Sequence, residues 1–132
     1  IFRNGDSIMA FANYEIVRES TSEYSVYKDD YFMTTCSTCR IALSYCILDK
    51  NKMLLDAKNL VILEDKLLGR QSEMMHYRHV ASSPKTDDFR REVVLHRLTS
   101  AKAEYQMLQK QLTKSINVAK YWQQKGFENE II

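Results

Sequence analysis

Two pairs of soft ligands stand out in this chain, Cys36-Ser37-Thr38-Cys39 and, downstream, His76-Tyr77-Arg78-His79. Thiol and imidazole pairs at such spacing are the two halves of a finger-type zinc site, which needs them on one folded-back unit about a dozen residues apart. Here 36 residues separate Cys39 from His76. Read as one straight helix, they hold the pairs roughly 55 Å apart, so no shared metal is expected. A redox dithiol prefers a helix start that follows a strand. With no strand expected, the thiols read as small groups in a helical seam. No nucleophile elbow, glycine-rich phosphate loop or paired-carboxylate motif accompanies the serines, histidines and aspartates. No catalytic residue, cofactor or enzyme activity is expected.

Charge placement carries more. Between Lys66 and Lys102 the cations are Lys66, Arg70, Arg78, Lys85, Arg90, Arg91, Arg97 and Lys102, against Glu73, Asp87, Asp88 and Glu92. Eight against four leaves +4, and His76, His79 and His96 share the window. Residues 1–30 hold three cations and six carboxylates, or −3. A solvated polar loop accounts for such a window, and so does a surface that faces an anion. The whole chain carries only +2, and no recognition-helix or RNA-binding motif is present, so nucleic acid is not expected as a partner.

The elements that position these groups read as helices. One proline and three glycines in 132 residues are few breakers, and the fold class expected is all-α, in one domain. Ser20-Thr21-Ser22-Glu23 has the form of a capping box. Tyr24, Tyr27 and Tyr31 come next at helical spacing, then one stripe of Leu43, Ile47, Leu54, Ala57, Val61 and Leu68 and a second of Met53, Leu60, Leu67 and Met74. A helix over 20–81 is predicted, about 90 Å long if straight. Residues 1–19, with Phe2, Ile8, Met9, Ala12 and Ile16, read as a lead-in helix or the end of a preceding one.

Pro84, in the polar run 82–88, marks a tip loop, and Asp87 and Asp88 suit the first turn of a second helix. Val94, Leu98, Ala101, Tyr105, Leu108, Leu112, Ile116, Ala119 and Trp122 then recur every three or four residues, predicting a return helix over 89–132. Gly126 is a candidate C-terminal cap, although Phe127, Ile131 and Ile132 extend the apolar material. Tyr45, Leu60, Leu67, Leu98, Tyr105, Leu108, Leu112 and Trp122 are the expected packing and dimer seam, with Trp122 as an interhelical anchor. The architecture expected is an elongated antiparallel hairpin or coiled-coil bundle. No run is apolar enough to predict a transmembrane helix, and no signal peptide is visible. Three clustered cysteines make no disulfide framework and point to a reducing, cytoplasmic compartment. A start at Ile1 and not methionine leads us to expect a fragment.

The stretch Ile41–Leu60, continued by Leu63, Lys66 and Leu67, resembles the second helix of BAR domains in the sorting nexin family. Both have a leucine and tyrosine cluster, an alanine-and-leucine run and a lysine-rich continuation. Ser83–Phe89 is similar to the short proline- and lysine-containing tip linker of that family. Ala101–Tyr105 and the segment from Lys114 to Phe127 are similar to its third helix. Gly126 departs from the acidic helix former usual there, the first helix and the end of the third are missing or shortened, and no phosphoinositide-binding PX domain is present in this chain. The resemblance implies a BAR-like crescent, dimeric with itself or a related helical chain, peripheral on curved anionic endosomal membrane in protein sorting. It implies lipid contact by Arg78, Lys85, Arg90 and Arg91, with Arg97 and Lys102 on the concave side. The alternative is a structural coiled-coil subunit or adaptor that assembles proteins without touching membrane.

Overall fold

Tyr14-Glu15-Ile16-Val17 and Tyr24-Ser25-Val26-Tyr27 are dense in aromatic and β-branched side chains, which fit a pleated, half-buried surface. In the computed structural model, which describes residues 5–130 with side chains as far as Lys125, they are strands. The described elements are β1 (Asp6–Phe11), β2 (Tyr14–Ser20), β3 (Glu23–Lys28), β4 (Tyr31–Cys36), α1 (Cys39–Lys50), α2 (Leu54–Ser82) and α3 (Asp88–Glu130). The strands form one antiparallel meander in the order β1-β2-β3-β4.

The all-α expectation is therefore wrong, and with it the elongated BAR-like fold. Neither a lead-in helix over 1–19 nor a helix beginning at Ser20 exists among the described residues. The tyrosines at 24, 27 and 31 stand at helical spacing by coincidence: Tyr24 and Tyr27 share β3, and one two-residue loop sets Tyr31 at the start of β4. Ser20-Thr21-Ser22 is a hairpin turn and not a helix cap: the Ser22 N–H donates to Ser20 Oγ at 3.4 Å. Asp29 and Asp30 both take positive φ, 51° and 68°, in the two-residue loop between the paired residues Lys28 and Tyr31. That backbone matches the right-handed twist of a hairpin. Asn13 and Asp29 link this loop to the β1–β2 turn, by the Asp29 N–H to the Asn13 carbonyl (2.9 Å) and by Asn13 Nδ2 to Asp29 Oδ2 (3.1 Å).

The stretch Ile41–Leu60, which resembles a single BAR helix, is split between α1 and α2. Thr38 caps the start of α1, accepting from the Ile41 N–H at 3.2 Å. At its end the Met53 N–H reaches the Leu48 carbonyl (2.9 Å) and the Lys52 N–H reaches that of Asp49 (3.0 Å). Those two bonds form a Schellman motif, with Lys52 at φ 60° in the position glycine usually holds.

The chain divides into two units, one comprising residues up to Ile62 together with those from Lys114 on, the other Leu63–Thr113. In the first, α1 packs on β2, β3 and β4. Its core includes Ile16, Val17, Val26, Cys46, Leu48 and Leu60, each with almost no exposed surface. Ile16 and Val17 are neighbours on β2 and both are buried, so both faces of that strand are covered. Ala57, Ile116 and Ala119 are buried in the same unit.

The second unit is a helical hairpin. Met74, Leu98 and Ala101 form its buried cluster, Tyr77 and Tyr105 pack against it, and Val94 and Leu108 are buried as well. Of the expected seam residues, Leu60, Leu98 and Leu108 are buried, while Leu67, Tyr105, Leu112 and Trp122 are half-buried. Tyr45 is not on this seam: it belongs to α1, the helix that covers the sheet. Gly126 caps nothing, since α3 continues to Glu130. The expectations for Phe2, Ile131 and Ile132, and for the Phe127 side chain, fall outside the described residues. No helix among them is long and apolar enough to cross a membrane.

Candidate functional site

The bend of the hairpin is built by its own side chains. The Asp87 side chain caps α3, its Oδ1 accepting from the Arg90 N–H at 2.7 Å. Thr86 Oγ1 donates to the Val80 carbonyl at 2.7 Å, closing the loop onto the end of α2. Arg91 clips the whole turn. Its Nε donates to the Ala81 carbonyl (3.0 Å) and its Nη2 to those of Ser83 (3.2 Å) and Thr86 (2.9 Å). Its Nη1 pairs with Asp88 at 3.2 Å. A guanidinium whose donors are committed inward has no claim on an external anion, so Arg91 leaves the set of lipid-binding candidates.

Arg78, Lys85, Arg90, Arg97 and Lys102 differ from it. All five are exposed, and none makes an ion pair among the described residues. Phe89, beside Arg90 in the first turn of α3, is 77% exposed. Phe89 was absent from the expected site, although its place off the seam that begins at Val94 was a usable signal. His76, His79 and His96 are exposed too.

Farther along the hairpin, Arg70 Nη1 donates to both carboxylate oxygens of Glu73 (2.9 and 3.0 Å), and its Nε pairs with Glu104 on α3. The bond to Glu73, helped by Glu104, pushes the Arg70 pKa above its ordinary value. These side chains edge an open cleft of about 450 Å³, lined also by Lys66, Gly69, Met107 and Leu108.

In the sheet unit one carboxylate is nearly enclosed. Asp49, 7% exposed, accepts from the Tyr14 hydroxyl and from Lys28 Nζ, the latter at 3.3 Å. The Lys28 ammonium also lies 5.5 Å from the centre of the Tyr14 ring. Burial, then the bond to Asp49, pushes the Tyr14 hydroxyl well above its ordinary pKa. Burial and the same carboxylate push the Cys46 thiol up to about 12 and raise Tyr45. A carboxylate so enclosed and so fully engaged holds elements together. The signal for it was an acid ending the apolar run Cys46-Ile47-Leu48.

The cysteine pair is divided between the end of β4 and the start of α1, and the histidine pair lies on α2. Among the described residues no three His, Cys, Asp or Glu side chains gather in a metal-binding group. No family model matches the chain, and neither a curated protein nor a solved structure matches it.

Proposed function

We propose that this chain is a non-enzymatic binding module that docks on an anionic membrane surface through the bend of its 63–113 hairpin. The observation that carries this reading is Phe89, exposed at the bend and flanked by the exposed, unpaired cations Lys85 and Arg90. A cation near an anionic leaflet contributes roughly 1 kcal/mol, and burying a phenylalanine side chain contributes roughly 1.5–3 kcal/mol. Arg78, Arg97 and Lys102 extend the cationic surface along α2 and α3. Arg91 keeps the bend in shape and takes no part in the contact. Such an anchor is weak alone and gains by avidity wherever the module is held in more than one copy.

Cosedimentation with vesicles tests this. The chain should bind phosphatidylcholine vesicles containing phosphatidylserine, less so as salt is raised, and should ignore phosphatidylcholine alone. Phe89→Ser and the pair Arg90→Glu, Arg97→Glu should each weaken that binding. If both variants bind like the parent, the bend is not the contact.

One observation favours a second reading, protein assembly without membrane. Leu68 and Met75, seven residues apart on α2, are 42% and 64% exposed. That spacing returns to the same side of a helix and suits a further helix laid along the hairpin. Under this reading Leu68→Ser with Met75→Ser abolishes complex formation, and vesicles are ignored at any salt.

A further inference from the structure

A redox dithiol favours the step from a strand into a helix, and Cys36-Ser37-Thr38-Cys39 spans one. Cys36 closes β4, Thr38 caps α1, and Cys39 is the first residue of that helix. The expected long helix denied the pair this setting, and the sheet supplies it. All three cysteines are reduced. Two bends in a row, at Ser37 and Thr38, shorten the link from its extended reach of about 10 Å. They bring it toward the limit of about 7 Å between Cα atoms that a disulfide tolerates.

Both thiols belong to the gap between α1 and the sheet. Cys36 pairs with Tyr24 on β3, and Tyr24, Val26 and Lys28 alternate onto one face. Lys28 reaches Asp49 of α1 from that face, so Cys36 lies on the side that α1 covers, with 3% of its surface exposed. On α1, Asp49 marks the side turned to the sheet, and Ala42 and Cys46, seven and three residues before it, have no exposed surface. Cys39 stands seven residues before Cys46, on the same side of the helix, and keeps part of its surface in solvent. Cys39 is near enough to help raise the pKa of Cys46, as Cys36 is to help raise that of the adjoining Tyr45. A half-open thiol with a buried one behind it gives dithiol exchange an entry for attack and a second sulfur to complete it. An anionic disulfide arriving at Cys39 meets the exposed Arg40 and no acidic residue in the first turn of α1.

We propose that Cys36 and Cys39 are a thiol–disulfide exchange site for a low-molecular-weight disulfide of the glutathione class, with Cys39 attacking and Cys36 resolving. Cys39 gives its proton to solvent, and its sulfur bonds one sulfur of the incoming disulfide as the other leaves as a thiolate. The Cys36 sulfur, its proton also lost to solvent, then bonds Cys39 and expels the second thiolate. Both thiolates take up a proton. Two protein thiols are oxidised, and one small disulfide is reduced to two thiols.

The site belongs to the sheet unit, and its test involves no vesicles. The folded chain is equilibrated with oxidised and reduced glutathione at several ratios, quenched in acid, unfolded and alkylated with N-ethylmaleimide. Trypsin then releases Asp29–Arg40, with Cys36 and Cys39, apart from Ile41–Lys50, which holds Cys46. In oxidising buffer Asp29–Arg40 should be lighter by two hydrogen atoms and take no maleimide, while Ile41–Lys50 takes one. Circular dichroism of the oxidised chain should match that of the reduced one. Cys36→Ala should stop at a glutathionyl group on Cys39. Cys39→Ala leaves only the buried member of the pair and should react with glutathione disulfide roughly tenfold more slowly or worse. An Asp29–Arg40 peptide that carries two maleimides at every ratio, or is oxidised only in urea, overturns the proposal. So does a disulfide that runs to Cys46, or a Cys39→Ala chain that reacts as fast as Cys36→Ala.

Discussion

The Tyr14 hydroxyl on β2 donates to Oδ2 of Asp49 in the last turn of α1, a bond between groups 35 residues apart in sequence. It ties the first helix to the middle of the sheet, and Lys28 on β3 joins at the same oxygen. Removing one partner of a buried carboxylate costs about 1–3 kcal/mol, because the group stays desolvated with its bond unmade. Tyr14→Phe should therefore lower the urea midpoint by a stability loss of that size with an unchanged m-value. Asp49→Ala strands both the Tyr14 hydroxyl and the Lys28 ammonium, and should lower it further.

The same cluster sets an alkaline limit. Burial lifts the Cys46 thiol from its ordinary 9.0 to about 12, and Tyr14 and Tyr45 are likewise raised above 10.0. In the unfolded chain these groups release protons at their ordinary values, so above pH 9 the unfolded state binds fewer protons than the fold. Stability then falls as pH rises. The contribution of Cys46 is whole below pH 9 and gone once pH passes about 12. Denaturant midpoints taken through this range should begin to drop near pH 9. In Cys46→Ala the onset should move toward pH 10, where the tyrosines take over.

Arg91 donates to three backbone carbonyls and to Asp88 at once. A lysine has one compact ammonium and no planar fork, so Arg91→Lys should recover only a fraction of what Arg91→Ala loses. That loss should be about 1.5–3 kcal/mol, the range for hydrogen bonds to a charged group. Amide exchange across residues 81–91 should quicken in both variants more than exchange in the sheet.

Gly5 and Gly69 should respond in opposite directions to alanine. A Cβ on Gly5 would stand 2.2 Å from the Arg18 carbonyl oxygen, so β1 would have to move off β2. Gly5→Ala should cost about 1–3 kcal/mol, as overpacking does. A Cβ on Gly69 meets nothing within 4 Å. Gly69→Ala should stabilise the hairpin by about 1 kcal/mol, the helix-propensity difference. Thermal melts of the two variants check both signs.

The return helix Asp88–Glu130 and the bend before it are written in strong local signals: Pro84, the capping Asp87, and an apolar seam from Val94 to Ala119. The strands were hidden because their evidence is not local. Glu15, Ile16 and Val17 are all at least partly buried, since both faces of β2 are covered, and this erases the alternation that marks a strand. What remained was composition, the aromatic and β-branched run from Tyr14 to Thr35 broken by Thr21-Ser22 and Asp29-Asp30. Asp49 was visible as an acid at the end of an apolar run, but its partners Tyr14 and Lys28 come from strands placed beside it only by the sheet. Phe89 stood off the seam in plain view, and Arg91 looked like its cationic neighbours until the loop carbonyls converged on it.

The break between α1 and α2 was missed for a reason that can itself be tested. Helices commonly end on a glycine at the left-handed position, where a side chain costs roughly 1–2 kcal/mol. Here that position is filled by Lys52 at φ 60°, and the local stop signal is weak: Asn51, a residue that often ends helices, stands one place earlier, at the C-cap. The two bonds of the Schellman motif, from Met53 to Leu48 and from Lys52 to Asp49, hold the turn despite that cost. Lys52→Gly relieves the strain but gives the unfolded chain more freedom, which subtracts about 0.4–1 kcal/mol. The net gain should be about 0.5–1 kcal/mol. Lys52→Val, β-branched at a positive φ, should destabilise by more than that. If residues 50–53 were instead continuous helix, the order would reverse: glycine would weaken the chain and valine would be the milder change. Chemical denaturation of the two variants against the parent separates the cases.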